Sequence, residues 1–403
     1  MPKLEEYIPI VGKSVVDELS LIAEKIKDKR IQHINSTAVG GGVAEILNRM
    51  VPLFKELGMN VSWDIIKGGE QFFSVTKKFH NALHGKVEEI NGKDFATFQD
   101  TSNKNIEEMK IDADVVFVHD PQPVALIKKK TSNKWVWRCH IDVSSPDPQV
   151  WKFIKEFVVN YDAAIFSAPG FSQDLSIRQF LISPSIDPLS DKNKDLPQET
   201  IDAVLKKYNI LNDKPMITQI SRFDRLKDPL GVIEVYKQVK RYIDCQLILA
   251  GGTAEDDPEG IATLDEVRKN AEGDPDIHVL LLPHSDIEVN ALQRASDVIM
   301  QKSIREGFGL TVAEALWKGK PVVASNVGGI PLQIKHKYSG LLCNSIEGAS
   351  FEVKQLLNNP EYAKKLGNNG KENIRNNFLL TRHLRDYLLL ILALYHTDDV
   401  IYF

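Results

Sequence analysis

The chain has 403 residues, 43% of them hydrophobic and 26% charged, with a formal net charge of −5. This length suggests two or three domains of ordinary size. The net charge is mildly negative, whereas a nucleic-acid-binding protein normally carries an excess of basic residues on one face. Its three cysteines are too few and too widely spaced for a disulfide framework or a zinc site. The longest apolar run, 387–395, is shorter than the roughly 20 residues of a membrane-spanning helix. Since no signal-peptide pattern opens the sequence, we expect a cytoplasmic protein that binds neither membrane nor nucleic acid.

Short apolar segments alternate with amphipathic ones through the first half of the chain. Helical patterns lie between most of the strands, for example at 43–57 and 148–160. This βαβα order predicts a parallel sheet with helices on both faces. The predicted strands are 31–35, 61–66, 115–119, 135–140, 163–167 and 180–182.

The same order repeats in the second half, after a polar stretch at 187–200 that contains two prolines and reads as a linker. The sequence therefore predicts an α/β protein with two Rossmann-like, doubly wound domains, 1–190 and 201–379. A helical segment at about 380–403 has no strand after it and could pack back on the first domain. Strands are predicted at 216–221, 246–250, 278–282, 298–300 and 321–324, with helices such as 229–242 and 311–318 between them.

Three consecutive glycines, Gly40, Gly41 and Gly42, follow the first strand and open a helix. Glycine lets the backbone approach a ligand closely, and a helix start presents free N–H groups to an anion. A tight turn without a ligand is an equally good interpretation of this triplet alone. The spacing is not G-x-G-x-x-G, which weakens a dehydrogenase hypothesis.

The segment 221–229, SRFDRLKDP, leaves the first strand of the second half and enters a helix. Arg222 and Lys227 are thus at the carboxyl end of a strand, where open α/β sheets bind their ligands. Both side chains suit phosphate oxygens. Taken alone, the segment is also compatible with a solvated charged loop.

The segment 305–316, REGFGLTVAEAL, follows a later strand and leads through two glycines into a helix. The backbone N–H groups from Phe308 to Thr311 are expected to point at an anion. Glu306 precedes the helix and Glu314 lies about one turn inside it, so the two carboxylates flank this site. Singly, Glu306 could be a helix cap, and Glu314 an acid favoured by the helix dipole.

Polar residues also follow two strands of the first half. His119 and Asp120 end one strand, and Arg138, His140 and Asp142 alternate at the end of the next. Alternation along a strand places the last three on one side of the sheet. Convergent polar side chains suit a hydroxyl-rich ligand, although His140 could equally be a hydrogen-bonded core histidine.

Together these pieces resemble the retaining GT-B glycosyltransferases. The E-G-F-G-L-x-x-x-E unit at 306–314 and the spacing of Arg222 and Lys227 match the donor site of that family, and the resemblance covers nearly the whole chain. It implies two Rossmann-like domains that face each other across a cleft. The segments 72–85, FFSVTKKFHNALHG, and 137–142, WRCHID, further resemble the trehalose glycosyltransferring synthases, and the related trehalose phosphorylases share much of the pattern.

The resemblance implies a reversible glucosyl transfer from a nucleoside diphosphate glucose (NDP-glucose, as ADP- or UDP-glucose) to free glucose, giving trehalose with retention. Arg222 and Lys227 would neutralise the diphosphate, Glu306 would hold the glucose ring, and His119 would stabilise positive charge at the anomeric carbon. These four are the predicted catalytic residues.

Binding roles follow from the same resemblance. The predicted donor-binding residues are Gly41, Gly42, Phe308, Gly309, Leu310 and Glu314, the last gripping the ribose. The predicted acceptor-binding residues are Asp120, Arg138, His140 and Asp142, with His80 and Asn81 at the border of that pocket.

Two other functions stay open at this point. A trehalose phosphorylase would use inorganic phosphate and need no ribose contact at Glu314, and a nucleotide-sugar sensor would bind without turnover. A GT-B-shaped epimerase is a remoter third alternative. The sequence shows no metal-ligand spacing and requires no cofactor, so any Mg²⁺ is expected on the diphosphate. The preferred base is not decided, and the resemblance implies a homodimer.

Overall fold

The computed structural model describes residues 3–38, 42–252, 258–282 and 285–396. The chain divides into two compact units, which we call unit 1 and unit 2. Unit 1 is the chain up to Ser185 together with the segment from Leu380 onwards, and unit 2 is Ile186–Leu379. Each unit holds a six-stranded sheet in which every pair of neighbouring strands is parallel. The predicted α/β class with two doubly wound domains is therefore confirmed.

The sheet of unit 1 has the strand order β2-β1-β3-β4-β5-β6. Its direction of winding reverses between β1 and β3, and the crevice at such a reversal is where doubly wound sheets bind ligands. The strands are β1 Arg30–Asn35, β2 Asn60–Ile65, β3 Val115–His119, β4 Lys134–Arg138, β5 Ala163–Phe166 and β6 Arg178–Leu181.

Helices cover this sheet. The first two, α1 and α2, were not predicted, although α2 buries Val16, Leu19, Ile22 and Ala23 at the spacing of a helical face. The helices are α1 Leu4–Val11, α2 Lys13–Glu24, α3 Gly42–Glu56, α4 Glu70–Leu83, α5 Gly92–Glu108 and α6 Pro148–Val158, with short 3₁₀ helices at Val124–Lys129 and Pro169–Phe171.

The sheet of unit 2 has the order β12-β11-β10-β7-β8-β9, so its winding reverses between β7 and β10. The short strand β12 was not predicted, because three residues carry too little pattern. The strands are β7 Met216–Ile220, β8 Gln246–Gly251, β9 Ile277–Leu281, β10 Val298–Gln301, β11 Val322–Ser325 and β12 Leu341–Cys343. The helices are α7 Gln198–Lys207, α8 Pro229–Lys240, α9 Pro258–Ala271, α10 Asp286–Ala295, α11 Leu310–Trp317, α12 Ile330–Gln333, α13 Ile346–Asn358 and α14 Pro360–Asn377, with a 3₁₀ turn at Arg225–Lys227.

The core of unit 2 lies on both faces of its sheet. In β8, Leu247 and Leu249 belong to one buried cluster, while Ile248 and Ala250 belong to the cluster on the other face. A strand buried on both faces needs a continuous apolar run, and this run is what made these strands visible in the sequence.

The last helix, α15 Leu380–Tyr395, packs against α2 and α3 of unit 1. The polar stretch 187–200, expected as a linker, belongs to unit 2. It is held there because Asn290 Nδ2 donates to the carbonyls of Asp191 and Lys194 at 2.9 and 2.8 Å.

One predicted strand extends too far at its carboxyl end. The expected strand 135–140 ends at Arg138, because the N–H of His140 donates to Asp120 Oδ1 at 2.7 Å instead of continuing the ladder. Arg138, His140 and Asp142 therefore do not alternate along one strand. In the described part of the chain, no helix combines the length and apolarity needed to cross a membrane.

Candidate active site

The winding reversal of unit 2 brings two predicted segments together. The loop with Arg222 and Lys227 follows β7, and the loop with Glu306 follows β10, the neighbour of β7 in the sheet. Lys227 Nζ donates to Glu306 Oε2 at 2.6 Å, although the two residues are 79 positions apart. Their side chains are 19% and 9% exposed, so the pair is largely shielded from water.

Glu306 is held from several sides. Its Oε2 also accepts from Ser303 Oγ at 3.1 Å, and Gln301 Nε2 lies 3.5 Å away. Thr311 Oγ1 in turn donates to Gln301 Oε1 at 3.1 Å. This network fixes the carboxylate in one place, which is the condition for using it to orient a ligand.

Arg222 lies in a different environment from Lys227. Its side chain is 63% exposed, and its guanidinium is 3.8 Å from Asp224 Oδ2, a weak and hydrated contact. Of the two predicted phosphate-binding residues, Lys227 is turned towards Glu306, whereas Arg222 remains accessible to solvent.

The loop before α11 presents backbone groups. Gly309 has a φ of +83°, a conformation that favours glycine, and no side chain caps the start of α11 within the described residues. The Phe308 ring is buried against Phe378, with ring centroids 5.6 Å apart, while Gln333 Nε2 donates to the Phe308 carbonyl at 2.6 Å. The first N–H groups of α11 are therefore held in a rigid, uncapped turn suited to an anion.

Close backbone packing keeps this loop in place. A Cβ atom added to Gly328 would lie 1.6 Å from the Glu306 carbonyl oxygen, and one added to Gly329 would lie 2.7 Å from the Gly307 carbonyl oxygen. Only glycine permits such an approach.

Glu314 lies deeper in unit 2 and is 2% exposed. Its Oε1 is 3.8 Å from Lys192 Nζ, and Lys318 Nζ donates to the Glu314 carbonyl at 3.1 Å. Burial lowers the pKa of Lys318 to about 7, and the nearby Glu314 opposes that shift. Glu306 and Glu314 thus have separate basic partners, which agrees with separate roles.

The winding reversal of unit 1 carries a chain of three histidines. His119 Nε2 lies 3.0 Å from His33 Nδ1, and His119 Nδ1 lies 3.1 Å from His140 Nε2. Burial lowers the pKa of His33 to about 3 and those of His119 and His140 well below their usual values. Both ring nitrogens of His119 are thus occupied within the chain.

Asp120 lies next to the histidine chain and is hydrogen-bonded to His140. It has a φ of +64°, its Oδ1 accepts from the His140 N–H, and its carbonyl accepts from Trp137 Nε1 at 3.0 Å. Burial raises the pKa of its carboxyl group to about 6.

The side chains of Arg138 and Asp142 are both buried in unit 1. Arg138 is fully buried, and its Nη2 donates to Ser167 Oγ at 3.2 Å. Asp142 is 6% exposed and accepts from the Ser144 N–H at 3.0 Å in a local turn. The positive charge of Arg138 adds to the lowering of the pKa of His119 and His140, so its side chain lies near the histidine chain, although not through alternation along one strand.

The remaining predicted residues have local contacts or lie outside the described residues. His80 and Asn81 are in α4, where Asn81 Nδ2 donates to Glu88 Oε1 at 2.7 Å and the His80 ring stacks edge-on with His84. Gly42 is the first residue of α3. Gly41 lies outside the described residues, as does Gly40.

Three features of the site were missed from the sequence. His33 lies inside an apolar strand and resembles an ordinary core residue. Gln301, the last residue of β10, and Ser303, two residues later, could have been found as polar residues shortly before Glu306. Lys192 lies in the stretch that was interpreted as a linker. Among the described residues, no group of three His, Cys, Asp or Glu side chains is placed to hold a metal ion.

Comparisons with known proteins match this architecture in both units. Residues 33–173 match the family "Trehalose synthase, N-terminal domain", and residues 200–373 match "Glycosyl transferases group 1". A trehalose synthase from Pyrococcus horikoshii is 45% identical over 396 residues, which cover 96% of this chain and 95% of that protein. The chain belongs to the trehalose synthase family of glycosyltransferases.

A more distant relative in sequence and a solved structure are also similar to this member of the trehalose synthase family. A trehalose phosphorylase from Pleurotus pulmonarius is 30% identical, with 84% of this chain aligned to 54% of that protein. The structure of an α,α-trehalose-phosphate synthase (UDP-forming) from Burkholderia xenovorans, in complex with glucose-6-phosphate, has a TM-score of 0.73 at 14% identity and covers 91% of this chain and 100% of that one. The GT-B fold class and an enzyme of the glycosyltransferase type are thus established.

Proposed function

We propose that this enzyme transfers glucose from an NDP-glucose, ADP- or UDP-glucose, to free glucose, giving trehalose and NDP in a reversible reaction with retention at the anomeric carbon. The Lys227–Glu306 pair carries the proposal, because it lies at the winding reversal of unit 2 beside the uncapped start of α11. Positive charge, oriented amides and a fixed carboxylate are the groups that a sugar diphosphate requires.

The donor is assigned to unit 2. Breaking the bond between the anomeric carbon and the diphosphate builds negative charge on the leaving phosphate, and fixed positive groups stabilise that charge. Lys227 is held in place for this task, and the exposed Arg222 can close on a bound phosphate. Glu306 is proposed to hold hydroxyls of the donor glucose, and Glu314 those of the ribose.

The acceptor is assigned to the histidine end of unit 1. Asp120 and His140 are the half-buried polar residues there, and the His119 carbonyl is proposed to face the developing positive charge of the donor sugar. We infer a same-face substitution: the acceptor hydroxyl oxygen bonds to the anomeric carbon as the bond to the diphosphate breaks. The hydroxyl proton passes to the leaving phosphate, so no enzyme carboxylate becomes glycosylated.

Two accessory proposals remain. Any Mg²⁺ is proposed to bind the diphosphate rather than a protein cage, and the assembly is proposed to be a homodimer. The rate of glucose release from trehalose plus NDP, with and without a chelator, tests the role of Mg²⁺. Light scattering at several protein concentrations tests the homodimer.

The decisive experiment is product analysis with a panel of NDP-glucoses and free sugars. We expect trehalose from ADP- or UDP-glucose plus glucose, and NDP-glucose from trehalose plus NDP. Trehalose cleaved by inorganic phosphate but not by NDP would instead establish a phosphorylase, the activity named for the 30% identical relative. Binding of NDP-glucose without any product over hours would establish a sensor.

A matched variant separates the two enzyme classes further. Glu314→Gln keeps the shape of the side chain but removes the charge that is proposed to grip the ribose. A transferase should then show a raised KM for NDP-glucose, whereas a phosphorylase should keep its KM for phosphate.

A further inference from the structure

The histidine chain of unit 1 reaches from the candidate active site into the hydrophobic core. His140, at the outer end, is half-buried, whereas His33, at the inner end, is fully buried. The His33 ring stacks on Phe117, with centroids 4.9 Å apart and planes 13° apart, and on Phe54 at 6.4 Å and 14°. Apolar stacking therefore fixes the orientation of the His33 ring.

A chain of neutral imidazoles has two proton arrangements. Each ring carries one N–H and one lone pair, so a donor at His33 Nδ1 makes His119 accept at Nε2 and donate from Nδ1 to His140. His140 is then left with its proton on Nδ1. In the opposite arrangement every proton moves to the other nitrogen, and His140 Nδ1 becomes an acceptor.

The inner end decides between these arrangements. His33 Nε2 is buried and has no hydrogen-bond partner among the described residues. A buried N–H without an acceptor is rarer in proteins than a buried lone pair without a donor. The proton of His33 is therefore favoured on Nδ1, where His119 Nε2 accepts it.

We propose that His33 is a positioning residue that sets the tautomer of His140 through His119, so that His140 presents Nδ1–H as a donor towards the acceptor sugar. The link acts over two hydrogen bonds, of 3.0 and 3.1 Å, between residues of β1, the end of β3 and the loop after β4. It requires no movement of the backbone. It adds a residue of the hydrophobic core to the machinery of the site.

Nitrogen-15 NMR of selectively labelled histidine tests the tautomer directly, on the enzyme without substrates. Protonated and unprotonated ring nitrogens differ in chemical shift, and single variants assign the signals of the 10 histidines. We expect His119 and His140 to carry their protons on Nδ1. In His33→Phe, which keeps a stacking ring but offers no hydrogen bond, the His140 signals should shift towards a mixture of the two tautomers.

Two further variants separate positioning from packing. His33→Asn can place an amide donor near the former Nδ1 and should restore the wild-type tautomer at His140. Phe54→Leu disturbs the packing of the His33 ring but leaves the hydrogen-bond chain intact, so it should lower thermal stability without changing the tautomer. An unchanged His140 tautomer in His33→Phe, or an equal change in Phe54→Leu, overturns the proposal.

The activity measurement rests on the proposed function, whereas the NMR measurement does not. With NDP-glucose and glucose, His33→Phe should lower kcat/KM for the acceptor by about tenfold, the value of one misdirected hydrogen bond, while KM for the donor stays unchanged. His33→Asn should recover most of this loss. A tautomer change without any change in acceptor kinetics refutes the link to the sugar and leaves the proposed reaction standing.

Discussion

Replacement of Lys227 by methionine is the most direct test of the donor site. Methionine keeps much of the aliphatic stem but removes the ammonium group that lies 2.6 Å from Glu306 Oε2. Two effects should follow, a loss of folding stability and a loss of turnover, and the magnitude of each can be estimated separately from the structure.

The stability effect follows from the environment of Glu306. Breaking a fully buried ion pair costs about 3–5 kcal/mol, whereas an exposed pair contributes about 0.2–1 kcal/mol. The Lys227 side chain is 19% exposed, and Ser303 Oγ still donates to the carboxylate at 3.1 Å after the substitution. We therefore expect a loss of about 2 kcal/mol in the free energy of unfolding.

The turnover effect follows from the charge on the leaving phosphate. Loss of one preorganised group that stabilises a transition-state charge lowers kcat by about 10²–10³. Urea unfolding and initial rates of trehalose formation measure the two effects on the same preparations.

Lys240→Met is the matched control. Lys240 Nζ forms an equally short pair with Asp276 Oδ2, at 2.6 Å, and its side chain is 26% exposed. It lies at the end of α8, outside the candidate site. This variant should lose stability but keep its kcat. If Lys227→Met keeps kcat within about threefold of wild type, the assignment of Lys227 to the leaving phosphate is refuted.

Three further outcomes are expected. Burial raises the pKa of Asp120 to about 6, so between about pH 4 and 6 the folded chain keeps a proton that the unfolded chain releases. The free energy of unfolding should therefore fall as the pH rises through that window, and it should fall less in Asp120→Asn. Gly328→Ala should cost about 2–4 kcal/mol and weaken NDP binding in calorimetry, because its Cβ would meet the Glu306 carbonyl; Gly319→Ala, also at positive φ but with open space around it, should cost about 1 kcal/mol. Arg222→Ala should change stability by less than about 0.5 kcal/mol yet lower kcat by about 10²–10³, and an unchanged initial rate would contradict its role.

Local pattern was sufficient to predict most of the fold. The inner strands of both sheets are buried on two faces, and such strands must be short apolar runs. The helices between them must bury one face, so their apolar residues recur with the period of an α-helix. The segments around Lys227 and Glu306 could be assigned to strand ends for the same reason.

The sequence by itself thus determined the α/β class, the approximate positions of most strands and which loops carry polar groups. Tertiary structure alone decided which groups meet, because contact depends on strand order rather than on distance along the chain. The order β2-β1-β3-β4 places His33 beside His119, 86 positions away, and the adjacency of β7 and β10 places Lys227 against Glu306. A hydrogen bond from the His140 N–H to Asp120 ended β4 early, and no local period could encode that long-range contact.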